Sequence, residues 1–112
     1  MPRRFSRRSS SALAVLAAAL GVALSAAGAV KPTTRTVVIE AVKFEPAVVE
    51  ARVGEAVVWV NKDPIPHTVT SPSFDSKVIP AGKSYRLVTK GKGEFPYACS
   101  LHPTMKGMLR VK

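Results

Sequence analysis

Glu94-Phe95-Pro96-Tyr97-Ala98-Cys99-Ser100-Leu101-His102-Pro103-Thr104-Met105 holds the only cysteine of the chain, one of its two histidines and a methionine, spaced Cys-x2-His-x2-Met. Phe95, Tyr97 and Cys99 alternate with their neighbours, which reads as the end of a strand whose inward face carries the sulfur. His102 and Met105 then fall in a short loop. Pro103 biases His102 toward extended backbone, and its own fixed φ stiffens the turn that brings Met105 back. Thiolate and thioether are soft donors, and imidazole suits copper, zinc and nickel. A second imidazole has one source, His67, in the segment Asp63-Pro64-Ile65-Pro66-His67-Thr68-Val69. Two imidazoles, a thiolate and a weak axial thioether form the donor set of a blue-copper electron-transfer site. Prolines stiffen both loops, which suits a metal that changes oxidation state without its ligands rearranging.

Outward from that stretch the chain reads as short strands. Thr36 to Lys43 is β-branched and poor in charge, a first strand that Phe44-Glu45-Pro46 breaks, with Phe44 of a size to plug one end of the core. Ala47 to Arg52 alternates apolar and charged residues, so one of its faces is wet. Val53-Gly54-Glu55 is a turn. Ala56 to Asn61 is the most apolar strand of the mature chain and the expected centre of a sheet, with Trp59 packed inside it. Asn61-Lys62-Asp63-Pro64 is turn chemistry, and His67 to Thr70 begins a new strand. After a polar connector, Ser71 to Asp75, the alternation of Tyr85 and Leu87 marks another half-buried strand. Lys90-Gly91-Lys92-Gly93 is a flexible turn before the cysteine strand, and Met108 starts the closing strand. Seven or eight short strands, with no helical periodicity after the leader, predict an all-β sandwich or barrel.

The chain has 112 residues, room for one domain. Arg3, Arg4, Arg7 and Arg8 precede an uncharged apolar run from Ala12 to Ala27, and Ala27-Gly28-Ala29 offers an A-x-A cleavage site. Residues 1–29 therefore read as a signal peptide cleaved near Ala29, with Ala27 the alternative, and residues 30–112 as the mature domain. Arg7-Arg8 or Arg3-Arg4 leaves the general and twin-arginine export routes both open. An uncleaved membrane anchor is the competing reading of the apolar run. The whole chain carries a formal charge of +10, and residues 30–112 keep 13 Lys+Arg against 7 Asp+Glu, a net +6. Lys43, Lys83, Lys90, Lys92 and Lys106 are dispersed and not interleaved with aromatics, so nucleic acid is not an expected partner. They read as a solvated strand surface or, more sharply, as steering toward an acidic redox partner. A lone cysteine in an oxidising compartment cannot form an internal disulfide, and with His102 and Met105 beside it metal ligation is its expected role.

Phe44-Glu45-Pro46, Val53-Gly54-Glu55, Trp59-Val60-Asn61, Pro66-His67-Thr68-Val69 and Tyr97-Ala98-Cys99-Ser100-Leu101-His102-Pro103 resemble, in order, the landmarks of the cupredoxins, and among them the amicyanin and plastocyanin group. The resemblance runs from about Thr36 to Lys112. It implies a cupredoxin-like Greek-key fold and one type 1 copper ion held by His67, Cys99 and His102. The two-residue gap after His102 is the short, amicyanin-like one and makes Met105 the axial ligand. The longer gap of plastocyanin and pseudoazurin would land on Gly107, which has no donor atom. The implied function is a small exported, periplasmic electron carrier and not an enzyme, since the donor set leaves no open coordination position. Electrons would pass through His102 within an apolar docking patch of Pro64, Ile65, Leu101 and Pro103. The carrier is expected to act as a monomer, with no stable membrane association once the leader is cleaved. Phe44, Phe95, Tyr97 and Met108 would wall the copper from water. One departure stands out: the family commonly places Asn after the first histidine to link the two ligand loops, and this chain has Thr68. The alternative function is a periplasmic copper-sequestering or delivery protein, whose usual Met-rich or His-rich tracts this chain lacks.

Overall fold

The computed structural model describes residues 33–112. The expected signal peptide, its expected cleavage site and the boundary at residue 30 lie outside the described residues. Among the described residues seven strands follow one another: β1 (Thr34–Glu40), β2 (Lys43–Glu45), β3 (Val48–Ala51), β4 (Ala56–Asn61), β5 (Ser84–Val88), β6 (Gly93–Ala98) and β7 (Lys106–Val111). They form two sheets, ordered β2-β1-β4-β5 and β3-β7-β6, the two layers of a Greek-key β-sandwich. The β1–β4 and β3–β7 pairs are parallel and the remaining pairs antiparallel.

The core follows from alternation. Val37 and Ile39 on β1, Val57 and Trp59 on β4, and Leu109 and Val111 on β7 turn inward, all nearly or wholly removed from water. Fully burying a side chain such as Ile39 or Leu109 contributes roughly 1.5–3 kcal/mol, so these pairs across the sandwich carry much of its stability. Trp59 is 0% exposed, which settles its role as packing. Its ring lies 5.4 Å from Tyr97 and 5.7 Å from Tyr85, and Phe44 meets Tyr97 edge-on at 4.8 Å. This aromatic block runs between the sheets. Gly107 makes room for it, because a Cβ there would stand 2.4 Å from Tyr97 Cζ.

Three expectations about strands are corrected. The first strand does not run through to Lys43. It stops at Glu40, Ala41 and Val42 turn the chain with φ of 55° and 57°, and β2 pairs back on β1. Residues 67–70 make only isolated bridges, His67 with Ile79 and Thr70 with Asp75 and Ala98. Two of their amides go to side chains instead of a neighbouring strand, Thr68 N–H to Cys99 Sγ and Val69 N–H to Ser76 Oγ. The last strand begins at Lys106, and Met108 sits inside it opposite Pro96 and Val48.

Candidate metal centre

β4 and β6 deliver the two donor-bearing loops to the same end of the sandwich. β4 ends at Asn61, and the loop after it carries Asp63 and His67; β6 ends at Ala98, and the next residue is Cys99. Thr70 pairs with Ala98 through both backbone hydrogen bonds, which lays one loop against the other. The cysteine loop then folds on itself. His102 N–H donates to Cys99 O, Met105 N–H to His102 O, and Cys99 N–H to Met105 O at 3.0 Å.

The result is a cluster of three donors. Cys99 Sγ lies 3.8 Å from His67 Nδ1 and 3.7 Å from His102 Nδ1, and the donor atoms of all three residues fall within 4.8 Å of one another. An ion bound at about 2.0 Å from nitrogen and about 2.3 Å from sulfur would see each sulfur–nitrogen pair at roughly 120°. Both sulfur–nitrogen separations therefore suit a shared ion. His67 and Cys99 are 0% exposed, while His102 is only half-buried. Met105, 4% exposed, is buried under the loop whose backbone closes on Cys99.

Polar groups around the donors fix their orientation. Thr68 N–H points at Cys99 Sγ at 3.3 Å, a donor suited to a thiolate. The Thr68 hydroxyl accepts from Ser100 N–H at 2.8 Å and lies 3.0 Å from Ser100 Oγ, so this threonine does link the two ligand loops. The departure at position 68 therefore keeps the linkage. His67 Nε2 lies 2.7 Å from Asp63 Oδ2, leaving Nδ1 toward the sulfur. Asp63 is 7% exposed. Burial works against its charge, but Val42 N–H, the His67 ring and Ala41 N–H together outweigh it. Its carboxyl lies below the ordinary carboxylate range. Asn61, wholly buried, accepts from Asp63 N–H at 2.9 Å and donates to Ile65 O and Ile79 O.

Of the donors singled out in the sequence, His67, Cys99 and His102 form a cluster, and Met105 is buried with its carbonyl accepting from Cys99 N–H. Phe44 and Tyr97 lie in the core on this side, but Phe95 does not. It lines a cavity of about 220 Å³ with Leu87, Thr89, Gly91 and Val111, at the opposite end of the sandwich where β6 begins. Sequence reading missed Asp63 and Asn61, which look like ordinary turn residues. The signal was an acid four positions before a histidine inside a proline-bounded loop. Ile65 and Leu101, 39% and 48% exposed, and the exposed Pro64 and Pro103 lie on the two donor-bearing loops.

The sequence profile of the Cupredoxin-like domain family matches residues 12–111. Amicyanin-alpha of Methylorubrum extorquens is 32% identical over 112 residues, covering 88% of this chain and 94% of that protein. A methionine-to-alanine mutant of amicyanin, solved in its Cu(I) form, superposes with a TM-score of 0.67 at 25% identity, covering 78% of this chain and 89% of the other. A Cu-containing nitrite reductase from Thermus scotoductus gives 0.69 at 31% identity, over 75% of this chain but 23% of the enzyme.

Proposed function

The chain belongs to the cupredoxin-like domain family, and from that premise we propose that it is a small exported blue-copper electron carrier. His67 Nδ1, Cys99 Sγ and His102 Nδ1 would hold one copper ion, with Met105 as a weak fourth ligand. The observation that carries this reading is the convergence of two imidazole nitrogens on one buried sulfur at 3.7 and 3.8 Å. Copper so held supplies one-electron chemistry. The protein's part is to keep the ligands still and the site dry. Thr68 N–H and the Thr68–Ser100 link hold the thiolate, Asp63 holds the His67 ring, and Phe44 and Tyr97 exclude water.

His102 is the exit for electrons, because it is the one donor of the three that reaches the surface. Leu101, Ile65, Pro64 and Pro103 give it an apolar rim on which donor and acceptor proteins would dock in turn. The basic, apolar leader of residues 1–29 supports export to the periplasm, with a mature carrier of residues 30–112. A catalytic role like that of the nitrite reductase is not part of this reading, since a site filled by four protein ligands leaves no position for substrate.

Adding Cu(II) to the purified protein tests the proposal. An intense blue colour with reversible one-electron voltammetry is expected, and Cys99→Ser should lose the colour. A tight but colourless copper complex would instead identify a sequestering or delivery protein. Leu101→Glu should slow electron transfer to a physiological partner without altering the copper spectrum; unchanged rates would remove the docking assignment.

A further inference from the structure

The two residues at the tip of the β1–β2 hairpin are the least expected in the fold. A two-residue hairpin loop with positive φ at both positions is the turn that selects Asn-Gly. Here it is Ala41 and Val42, at φ 55° and 57°. A β-branched residue in the left-handed region is a true outlier, and such a conformation persists only where its surroundings over-determine it. What determines it is one carboxylate. Ala41 N–H donates to Asp63 Oδ1 at 2.7 Å, and Val42 N–H to Asp63 Oδ2 at 2.9 Å. That same Oδ2 accepts from His67 Nε2 at 2.7 Å. Asp63 is itself held from behind, by its own N–H on Asn61 Oδ1.

We propose that Asp63 is a positioning residue that joins the strained β1–β2 turn and the His67 ring into one hydrogen-bonded unit, so that the turn sets the rigidity and donor strength of this copper ligand. The turn hands both its amides to the carboxylate, which cannot then swing away from the imidazole. With Nε2 bearing the proton, the Nδ1 lone pair is fixed toward Cys99 Sγ. A carboxylate behind a metal-bound imidazole raises its basicity, and a more basic ligand favours the more positive oxidation state. Asp63 therefore lowers the reduction potential. An asparagine would offer one acceptor oxygen and turn an NH2 group on donors that need acceptors.

This rests on the copper reading above. In the full protein, Asp63→Asn should weaken Cu(II) binding about 10–100-fold. Each tenfold loss suffered by Cu(II) and not by Cu(I) should raise the midpoint potential by about 59 mV. Exchange of the Ala41 and Val42 amides should accelerate together in the same variant. Glu55→Gln, at the far end of the sandwich, should leave the potential where it is. A folded Asp63→Asn protein with wild-type potential, or with unchanged exchange at Ala41 and Val42, would overturn the inference. Should that variant fail to fold, nitrogen-edited NMR of the Cu(I)-loaded wild type decides. The His67 Nε2 proton must be present and protected, and the Ala41 and Val42 amides must exchange more slowly with copper than without it. A ring protonated at Nδ1, or amides indifferent to copper, would refute it. If the wild type binds no copper at all, the functional reading has failed first, and the two failures are told apart.

Discussion

Each end of this sandwich is tied together by one nearly buried carboxylate, and the two are used differently. Asp63, 7% exposed at the donor end, accepts from two amides of a turn and from an imidazole. Glu55, 8% exposed at the opposite end, accepts from Arg52 N–H, from Thr33 N–H and hydroxyl, and faces Arg35. Thr89 completes that second knot. Its hydroxyl donates toward Arg52 O and Glu55 O and accepts from Gly54 N–H. Both carboxylates close a loop and anchor an edge of β1, one after its last residue and one before its first. Only Asp63 has a side chain of the donor cluster among its partners. The same device thus serves as a staple at one end and as a ligand support at the other. Substitutions at the donor end should change both stability and the properties of bound copper; those at the other end should change stability alone.

Asn61→Ala should give the largest effect. Asn61 is 0% exposed and makes three side-chain hydrogen bonds, to Ile65 O, Ile79 O and Asp63 N–H. Removing them strands a buried amide beside Asp63 and an unpaired carbonyl in the His67 loop, at a cost of about 3 kcal/mol. Denaturant unfolding should show a lower midpoint, and the copper spectrum should shift because Asp63 loses its backing. A variant that unfolds more easily while its spectrum stays fixed would show that the His67 loop is held without Asn61.

Gly107→Ala should come next and tests whether the aromatic block is independent of the donors. Its Cβ would meet Tyr97 at 2.4 to 2.6 Å, and the ring has little room to yield, pressed by Phe44 and Trp59 on its other sides. Overpacking of this kind costs about 1–3 kcal/mol. Tyr97 Oη and Trp59 Nε1 lack hydrogen-bond partners among the described residues, and burial raises the Tyr97 pKa. A displaced ring should therefore be visible in near-ultraviolet circular dichroism. A lower melting temperature with an unmoved copper spectrum is expected if the aromatic block only fills space. A spectral shift would mean that it transmits strain to Cys99, two residues on from Tyr97 and just past the end of β6.

Much of this was legible in the chain because it depends on residue type and period alone. Val37 and Ile39, Val57 and Trp59, and Tyr97 and Cys99 alternate as strands facing a core must. Two histidines and one cysteine leave few ways to build a soft metal site. What stayed hidden depends on partners distant in sequence. Asp63 reads as a turn acid until the amides of Ala41 and Val42, more than twenty residues earlier, are seen to need it. Val42 reads as strand because its type favours strand, and only that carboxylate reverses the preference. Gly107 reads as a spacer until register sets it opposite Tyr97. Phe95 reads as part of the apolar wall around the copper, but an extended strand carries it about 13 Å from Cys99 over four residues.

Glu55→Gln should have the smallest effect, confined to pH. The Thr33 hydroxyl and Arg52 N–H, against an opposing contribution from burial and with help from Thr33 N–H and Arg35, lower its pKa from 4.5 to about 2. A folded-state pKa below the unfolded one means that the group stabilises the fold above about pH 4.5. That contribution is lost as pH falls through the window down to about 2. Arg35 is 45% exposed at its side chain, so solvent screens its share of the effect. Melting curves of the wild type and Glu55→Gln should be furthest apart near neutral pH, draw together below pH 4.5 and meet near pH 2. The copper spectrum at neutral pH should be the same in both. A gap that stays constant down to pH 2 would mean that Glu55 acts through shape and not charge. A changed spectrum would break the division of labour between the two carboxylates, since the effect would then have crossed the whole length of the sandwich.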